Sequence, residues 1–327
     1  ISLSTLLQKA TIEQLALALR REGDTVKQTP LILINPNGSR PPVVCVHPAM
    51  GRALCYVHLA RHLGHDQPFY GLQSPGLEGE QPPLGSVEEM ASNYIAALRG
   101  VQAEGPYYLG GHSFGGIVAF EMAQQLTRAG QEVASLAILD TMAPLPKPDS
   151  LADTFAPDDT QWLCEIGRIV ERFLKKNLAI DYEALRQLDF EEQLSILLDR
   201  FKEIDLFPQD AGKTQVRGLL EVEKANVRAL GQYVPRFYPG KIALFRSAVL
   251  HREDFSSSYL HRFLDPSLGW AALSAEPVEM HIVPGDHITM ITDPHVAGLA
   301  AKLRSHLDGL NRERSITANS TRVAPML

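Results

Sequence analysis

The sequence predicts an α/β fold built on a mostly parallel sheet, and three observations support this. From Pro42 to Leu139, short apolar runs alternate with stretches of helical periodicity, the pattern of repeated strand and helix units. Runs such as Val43 to His47 are apolar without regular polar alternation, which suits strands buried on both faces. The pentapeptide Gly111-His112-Ser113-Phe114-Gly115 falls where one run ends and a helical stretch begins.

Thr11, with Gln14 three residues on and Ile12, Leu15 and Leu19 on one face, predicts a short amphipathic helix ending near Gly23. Residues 24–42 are turn formers and polar residues around Leu31 to Ile34, a linker with one edge strand. Then come the strand Val43 to His47, a helix over Ala53 to Leu63, and a short strand over Phe69 to Leu72. Ser86 and Glu89 form a capping box that opens a helix to about Val101. Tyr107 to Leu109 is a strand, Phe114 to Ala129 a helix stopped by Gly130, and Ser135 to Leu139 a strand. After the Pro-rich stretch 144–148 the alternation stops, and segments 158–176, 181–203 and 213–234 read as helices with no strand among them. Strands at Lys241 to Phe245 and Glu279 to Val283 and a helix over His295 to Leu307 complete the pattern, with an aperiodic tail from Asn311.

Composition narrows the function. A net charge of −7 without a Lys/Arg cluster lacks the electrostatic footprint of a nucleic-acid binder. No apolar run approaches the roughly 18 residues of a membrane span, and the basic pair Arg20-Arg21 follows the apolar N-terminus instead of preceding it, unlike a signal peptide. Three cysteines without Cys-Xaa-Xaa-Cys spacing argue against a disulfide framework or zinc site and fit a reducing cytoplasm. Ala211-Gly212-Lys213-Thr214 mimics the end of a phosphate-binding loop, but Phe207 stands where its first glycine belongs. Neither a metal nor a dinucleotide cofactor is expected.

Chance supplies a Gly-Xaa-Ser-Xaa-Gly match in about one chain in ten of this length and composition, so context has to carry it. The strand before it and the amphipathic helix after it, with Ile117, Phe120, Met122 and Leu126, are the context a nucleophilic serine on a tight turn requires. A serine hydroxyl needs a base to take its proton, and the base needs an acid to fix its tautomer. Asp140 ends the strand after the pentapeptide and emerges at the same sheet edge, which makes it the favoured acid, with Glu253 and Asp254 as rivals. His287, in the loop Pro284-Gly285-Asp286-His287 after the last strand, is the favoured base over His281 and His295. Backbone amides at Phe114 and at Ala49, or Met50, are the candidate oxyanion donors, because Pro48 has no N–H.

From about Pro41 to Gly309 the chain resembles the thioesterase domains that close nonribosomal peptide synthetases and polyketide synthases. His47-Pro48-Ala49-Met50-Gly51, Tyr107 to Gly116, and Leu139-Asp140 followed by a helical insertion carry the resemblance, although the family often has glycine where Met50 stands. The acid lies 27 residues after the serine, as in that family, which favours Asp140. The resemblance implies an α/β-hydrolase fold over 41–309, with a helical lid at about 146–235 inserted after the strand that carries the acid, and a flexible tail over 310–327. Residues 1–23 look like the end of an acyl or peptidyl carrier domain, joined by a linker over 24–40. Because the chain begins at Ile1, it reads as a piece of something longer, without the carrier's phosphopantetheine-bearing serine.

The family implies that Ser113 accepts an acyl or peptidyl chain from the 4'-phosphopantetheine thioester of an upstream carrier domain and releases it by hydrolysis or macrocyclisation. No cofactor is bound by the chain itself, and neither nucleic acid nor membrane is a partner. A stand-alone editing thioesterase, a carboxylesterase or lipase acting on free esters, and a catalytically dead binding protein are the alternatives. Trp162, Ile166, Ile169, Phe173, Leu197, Leu198 and Phe201 are expected to pack the core of the insertion more than to meet substrate.

Overall fold

The computed structural model describes residues 29–79, 81–144, 157–250 and 264–322. The helix expected before Gly23 and the rival acids Glu253 and Asp254 lie outside these residues.

Seven strands form one sheet: β1 (Leu31–Asn35), β2 (Val43–Val46), β3 (Phe69–Leu72), β4 (Tyr107–His112), β5 (Val133–Leu139), β6 (Ala243–Ser247) and β7 (Glu279–Val283). Their order is β1-β3-β2-β4-β5-β6-β7, so β4, which leads into Ser113, is the middle strand. Every pairing is parallel except β1 with β3, which puts the C-terminal ends of β2 to β7 along one edge.

Strand periodicity divides the core in two. Val44, Val46, Leu109, Leu136, Ile138 and Leu244 face α2 (Val87–Arg99) and α3 (Phe114–Arg128). Their sequence neighbours Val43, Cys45, Tyr108, Ala137, Leu139 and Phe245 face α1 (Val57–Leu63) and the C-terminal helix. Successive side chains of a strand point to opposite faces, and both faces here are covered, which is why the runs read as continuously apolar.

The insertion consists of α4 (Asp159–Leu174), α5 (Tyr182–Leu185), α6 (Phe190–Glu203) and α7 (Lys213–Gln232) and has a core of its own. Ile166, Leu197, Leu198 and Phe201 lie in that core, and Trp162 packs against it. Phe173 instead reaches the sheet core on the α1 side. The helix expected over 181–203 is two helices. Asp189 accepts from the Glu192 amide while Glu192 accepts from the Asp189 amide, and this capping box starts a new helix where periodicity alone ran through. Gly212, in the false phosphate-loop motif, is the residue before α7.

Two other boundaries differ from expectation. β6 extends to Ser247 because pairing with β7 continues through the polar residues Arg246 and Ser247. The last helix, α8 (Val296–Arg322), runs beyond Leu307 into the segment read as an aperiodic tail. Its apolar stripe ends with the sheet it covers, but Asn311 still accepts from the Tyr108 hydroxyl at 2.9 Å, and Arg314 pairs with Glu132. Polar contacts fix this helix where no hydrophobic period marks it.

Candidate active site

Ser113 sits between β4 and α3 with φ 56° and ψ −128°, a conformation that costs a non-glycine residue on the order of 1–3 kcal/mol. Its neighbours explain how the turn closes. A Cβ at Gly111 would lie 2.1 Å from the Gly115 carbonyl oxygen, and one at Gly115 would lie 2.2 Å from that of Val46. Only glycine fits either position, so both flanking glycines of the pentapeptide are steric requirements. The Thr141 hydroxyl donates to the Ser113 carbonyl at 2.8 Å and holds the turn against the end of β5.

Asp140 follows β5, also at positive φ (48°), with its carboxylate buried. The Ser247 amide donates to Oδ1 at 2.7 Å, and the Ser247 hydroxyl donates to Oδ2 at 3.0 Å. Burial pushes this carboxyl up, but the hydrogen bonds from His287 and Ser247 outweigh it and hold the group below the ordinary aspartate value. His287 Nδ1 donates to Asp140 Oδ2 at 3.0 Å, and His287 Nε2 lies 3.0 Å from Ser113 Oγ, placed to accept its proton. Ser113, Asp140 and His287 are thus brought together from three separate sheet-edge loops.

The rival bases, His281 and His295, make neither of these contacts. His281 bonds to Glu279 and His295 to Thr289. Asp286 accepts from the amides of Ile288 and Thr289, both at 2.9 Å, and so caps the loop that carries His287.

The loop after β2 lies directly against the start of α3, as the clash predicted at Gly115 requires, and the rings of His47 and Phe114 stack at 6.1 Å. Ala49, two residues after His47, packs against the core cluster that contains Phe114. Buried His47 anchors the loop, with Nδ1 donating to the Pro48 carbonyl at 2.8 Å and Nε2 accepting from the Tyr94 hydroxyl at 2.6 Å. Burial pulls the His47 imidazole down to about 4, so it stays neutral at working pH.

Several supporting residues gave no sequence signal. His112, inside the pentapeptide, is buried and lies ring to ring with His287 at 4.8 Å, its Nε2 donating to the His287 carbonyl at 2.6 Å. Burial, with His287 adjacent, lowers its pKa to about 3, so it remains a neutral donor. Asn226, fully buried on α7, donates from Nδ2 to the Ala49 carbonyl at 2.6 Å, joining the insertion to the loop after β2. Ser247, beyond the expected end of β6, provides two of the bonds to Asp140. Each acts across 107 or more residues of sequence, beyond the reach of local periodicity.

A sequence profile of the thioesterase domain family matches residues 41–307. The chain belongs to the thioesterase domain family. It is therefore a hydrolase acting on thioesters, and its mostly parallel sheet flanked by helices is the α/β-hydrolase fold. This thioesterase domain is 35% identical to the chondramide synthase of Chondromyces crocatus over 265 residues, covering 79% of the chain and 6% of that synthase. It is 35% identical to the malpinin synthetase of Mortierella alpina over 256 residues, covering 77% of the chain and 3% of that protein. The chain thus spans only a small part of the length of these curated relatives. Among solved structures, the four-domain nonribosomal peptide synthetase AB3403 superposes with a TM-score of 0.76 at 30% identity, covering 94% of this chain and 22% of that one. The Vlm2 thioesterase domain superposes at 0.62 with 28% identity, covering 84% of this chain and 97% of that one.

Glu223, one turn before Asn226 on α7, is also buried, and its Oε2 has no hydrogen-bond partner among the described residues. Burial, reinforced by Glu165, pushes its carboxyl up to about 8. Between the ordinary glutamate value and about 8 the folded state keeps a proton that the unfolded chain releases, so stability falls as pH rises through that window. Glu223→Gln should remove this dependence and leave the protein about 2 kcal/mol or more stabler than the parent above pH 8. Urea unfolding at pH 5 and pH 9 checks it, and identical pH dependence in the two proteins would refute it.

Proposed function

We propose that this domain is a releasing thioesterase of a peptide- or polyketide-type synthase, with Ser113 as nucleophile, His287 as base and Asp140 as acid. One observation carries the reading: the 3.0 Å contacts from Ser113 Oγ to His287 Nε2 and from His287 Nδ1 to buried Asp140. A thioester arrives on the 4'-phosphopantetheine of an upstream carrier domain. Ser113 Oγ attacks its carbonyl carbon as His287 Nε2 takes the hydroxyl proton, and the amides of Ala49 and Phe114 bind the developing oxyanion. Collapse breaks the C–S bond, and His287 returns the proton to the departing thiolate. Water, or an amine or hydroxyl of the chain itself, then attacks the acyl-enzyme with His287 again as base, giving hydrolysis or macrocyclisation.

That the relatives are synthases and synthetases supports a chain handed over within a synthase. The Vlm2 thioesterase domain binds a tetradepsipeptide, and the NocB thioesterase domain forms a covalent complex with a fluorophosphonate nocardicin G analog. In this reading α4 to α7 form the lid over the acyl-enzyme, limiting water and favouring internal nucleophiles. In the same reading residues 1–23 are the end of the carrier domain and the compartment is the cytoplasm, but the linker expected over 24–40 is shorter, because Leu31–Asn35 is a strand of the thioesterase sheet. No helix of the described residues is long and apolar enough to cross a membrane.

The test is intact-protein mass after brief exposure to acyl and aminoacyl N-acetylcysteamine thioesters beside matched oxoesters. Serine adducts that form much faster from the thioesters support the reading, and a product one water lighter than the free acid marks cyclisation. Equal turnover of simple oxoesters would favour the esterase alternative.

Asn226 positions the oxyanion loop in this mechanism. Asn226→Ala should lower kcat about tenfold or more with little change in KM for a small thioester, because it frees the Ala49 peptide without touching the nucleophile. Steady-state kinetics check this, and a change confined to KM would assign Asn226 to lid docking alone.

A further inference from the structure

Away from the reactive serine, three chemistry-bearing side chains converge near the opposite edge of the sheet. Glu279 and His281 stand two residues apart on β7 and so share one face, the face that His306 of α8 meets. Glu279 Oε1 accepts from His281 Nε2 at 2.8 Å and from His306 Nδ1 at 3.1 Å. One carboxylate oxygen and two imidazole nitrogens, with His306 25 or more residues beyond the pair on the strand, are therefore aimed at a common point. His306 is almost wholly buried, whereas Glu279 and His281 keep 28% and 21% of their side chains exposed, so the cluster is open to solvent on one side.

We propose that Glu279, His281 and His306 bind a divalent ion of the zinc class, which fastens the C-terminal helix to the last strand. The three ligand atoms lie within 4.8 Å of one another, and tetrahedral zinc at its usual bond lengths needs separations of about 3.3 Å. Only small adjustments separate the two arrangements, and Glu279, the most exposed of the three, is the flexible side chain that can make them. The donor set, two imidazoles and one carboxylate, suits zinc more than the oxygen-seeking magnesium or calcium.

The groups around the ligands are those a metal site needs. Ser135 Oγ lies 3.1 Å from His306 Nε2, placed to accept a hydrogen bond from Nε2–H once Nδ1 binds the ion. Lys241 Nζ holds the other carboxylate oxygen, Oε2, at 3.0 Å and leaves Oε1 free to coordinate. The His281 ring stacks on Phe245 at 4.7 Å, and His306 meets the same ring edge-on at 6.0 Å, so both imidazole planes are set by packing. Proton bookkeeping closes without release. The proton on His306 moves from Nδ1 to Nε2 and that on His281 from Nε2 to Nδ1, leaving a lone pair on each ligating nitrogen. Water fills the fourth position from the exposed side. The site lies near the start of β7, whereas Ser113, Asp140 and His287 occupy the C-terminal edge, so its role is structural and independent of the reaction proposed above.

The test uses tag-free protein carrying His62→Ala, which removes the exposed group of His58, His62 and Asp293 as a competing ligand set. Titration with Co²⁺ should give a one-to-one complex with the intense visible bands of tetrahedral cobalt, displaced by Zn²⁺, and Zn²⁺ should raise the thermal midpoint. His281→Ala should weaken binding more than 100-fold and abolish the midpoint shift, with circular dichroism and thioester turnover unchanged. Ser135→Ala, which removes only the support of His306, should weaken binding about 10- to 100-fold. Glu279→Gln serves as a second ligand variant if His281→Ala does not fold. Absence of the cobalt bands in the parent, or binding that survives His281→Ala or Glu279→Gln, would overturn the proposal.

Discussion

Ser113→Ala should reduce thioester turnover by about 10⁴-fold or more and abolish both the acyl adduct and labelling by a fluorophosphonate. The expected size follows from the geometry. Without Oγ, His287 has no hydroxyl to deprotonate and no acyl-enzyme can form. Alanine accepts φ 56° no more readily than serine does, so the strain in the turn is kept and the melting temperature should stay within a few degrees of the parent. Mass spectrometry of the treated protein separates the outcomes. Stoichiometric labelling at another serine would overturn the nucleophile assignment, whereas a variant that is unlabelled and normally folded would support it.

The same turn shows why so much of this site was legible in the sequence. Gly111 and Gly115 are required by contacts with the backbone of Gly115 and Val46, and such requirements leave a fixed pattern at fixed spacing. The strands were legible because the sheet is covered on both faces, and Glu279 to Val283 was placed to the residue. His287 was legible because the loop after the last strand must open at the edge where Ser113 stands. What escaped depends on partners far along the chain. Asn226 looks like any polar residue of an amphipathic helix until its amide meets the Ala49 carbonyl, 177 residues earlier. Ser247 lies past the end of an apolar run, and only pairing with β7 carries the strand far enough to bring it to Asp140. Glu279, His281 and His306 match no local metal motif, because two come from a strand and the third from a helix packed on it. Helix ends were hardest where polar contacts set them, as at Asp189 and beyond Leu307.

Asp140→Asn should be nearly as damaging as loss of the nucleophile, about 10⁴-fold in kcat, although its shape is almost unchanged. The Ser247 amide is the reason. It donates to Oδ1 at 2.7 Å and is fixed in the backbone, so an asparagine must present its carbonyl oxygen there. The NH₂ group then falls at the Oδ2 position, 3.0 Å from His287 Nδ1. Facing a donor, Nδ1 must accept, which moves the imidazole proton to Nε2 and leaves the nitrogen beside Ser113 unable to take a proton. The Ser247 hydroxyl can rotate to accept from the new NH₂ and does not oppose this orientation. Ser247→Ala keeps the amide and Asp140, so it should cost far less, about tenfold or below. Steady-state kinetics on one thioester for both variants tests the argument as a pair. A large loss in Asp140→Asn beside a small one in Ser247→Ala fits a tautomer set through the backbone. Full activity in Asp140→Asn would move the acid to Glu253 or Asp254 and reduce Asp140 to a buried loop anchor.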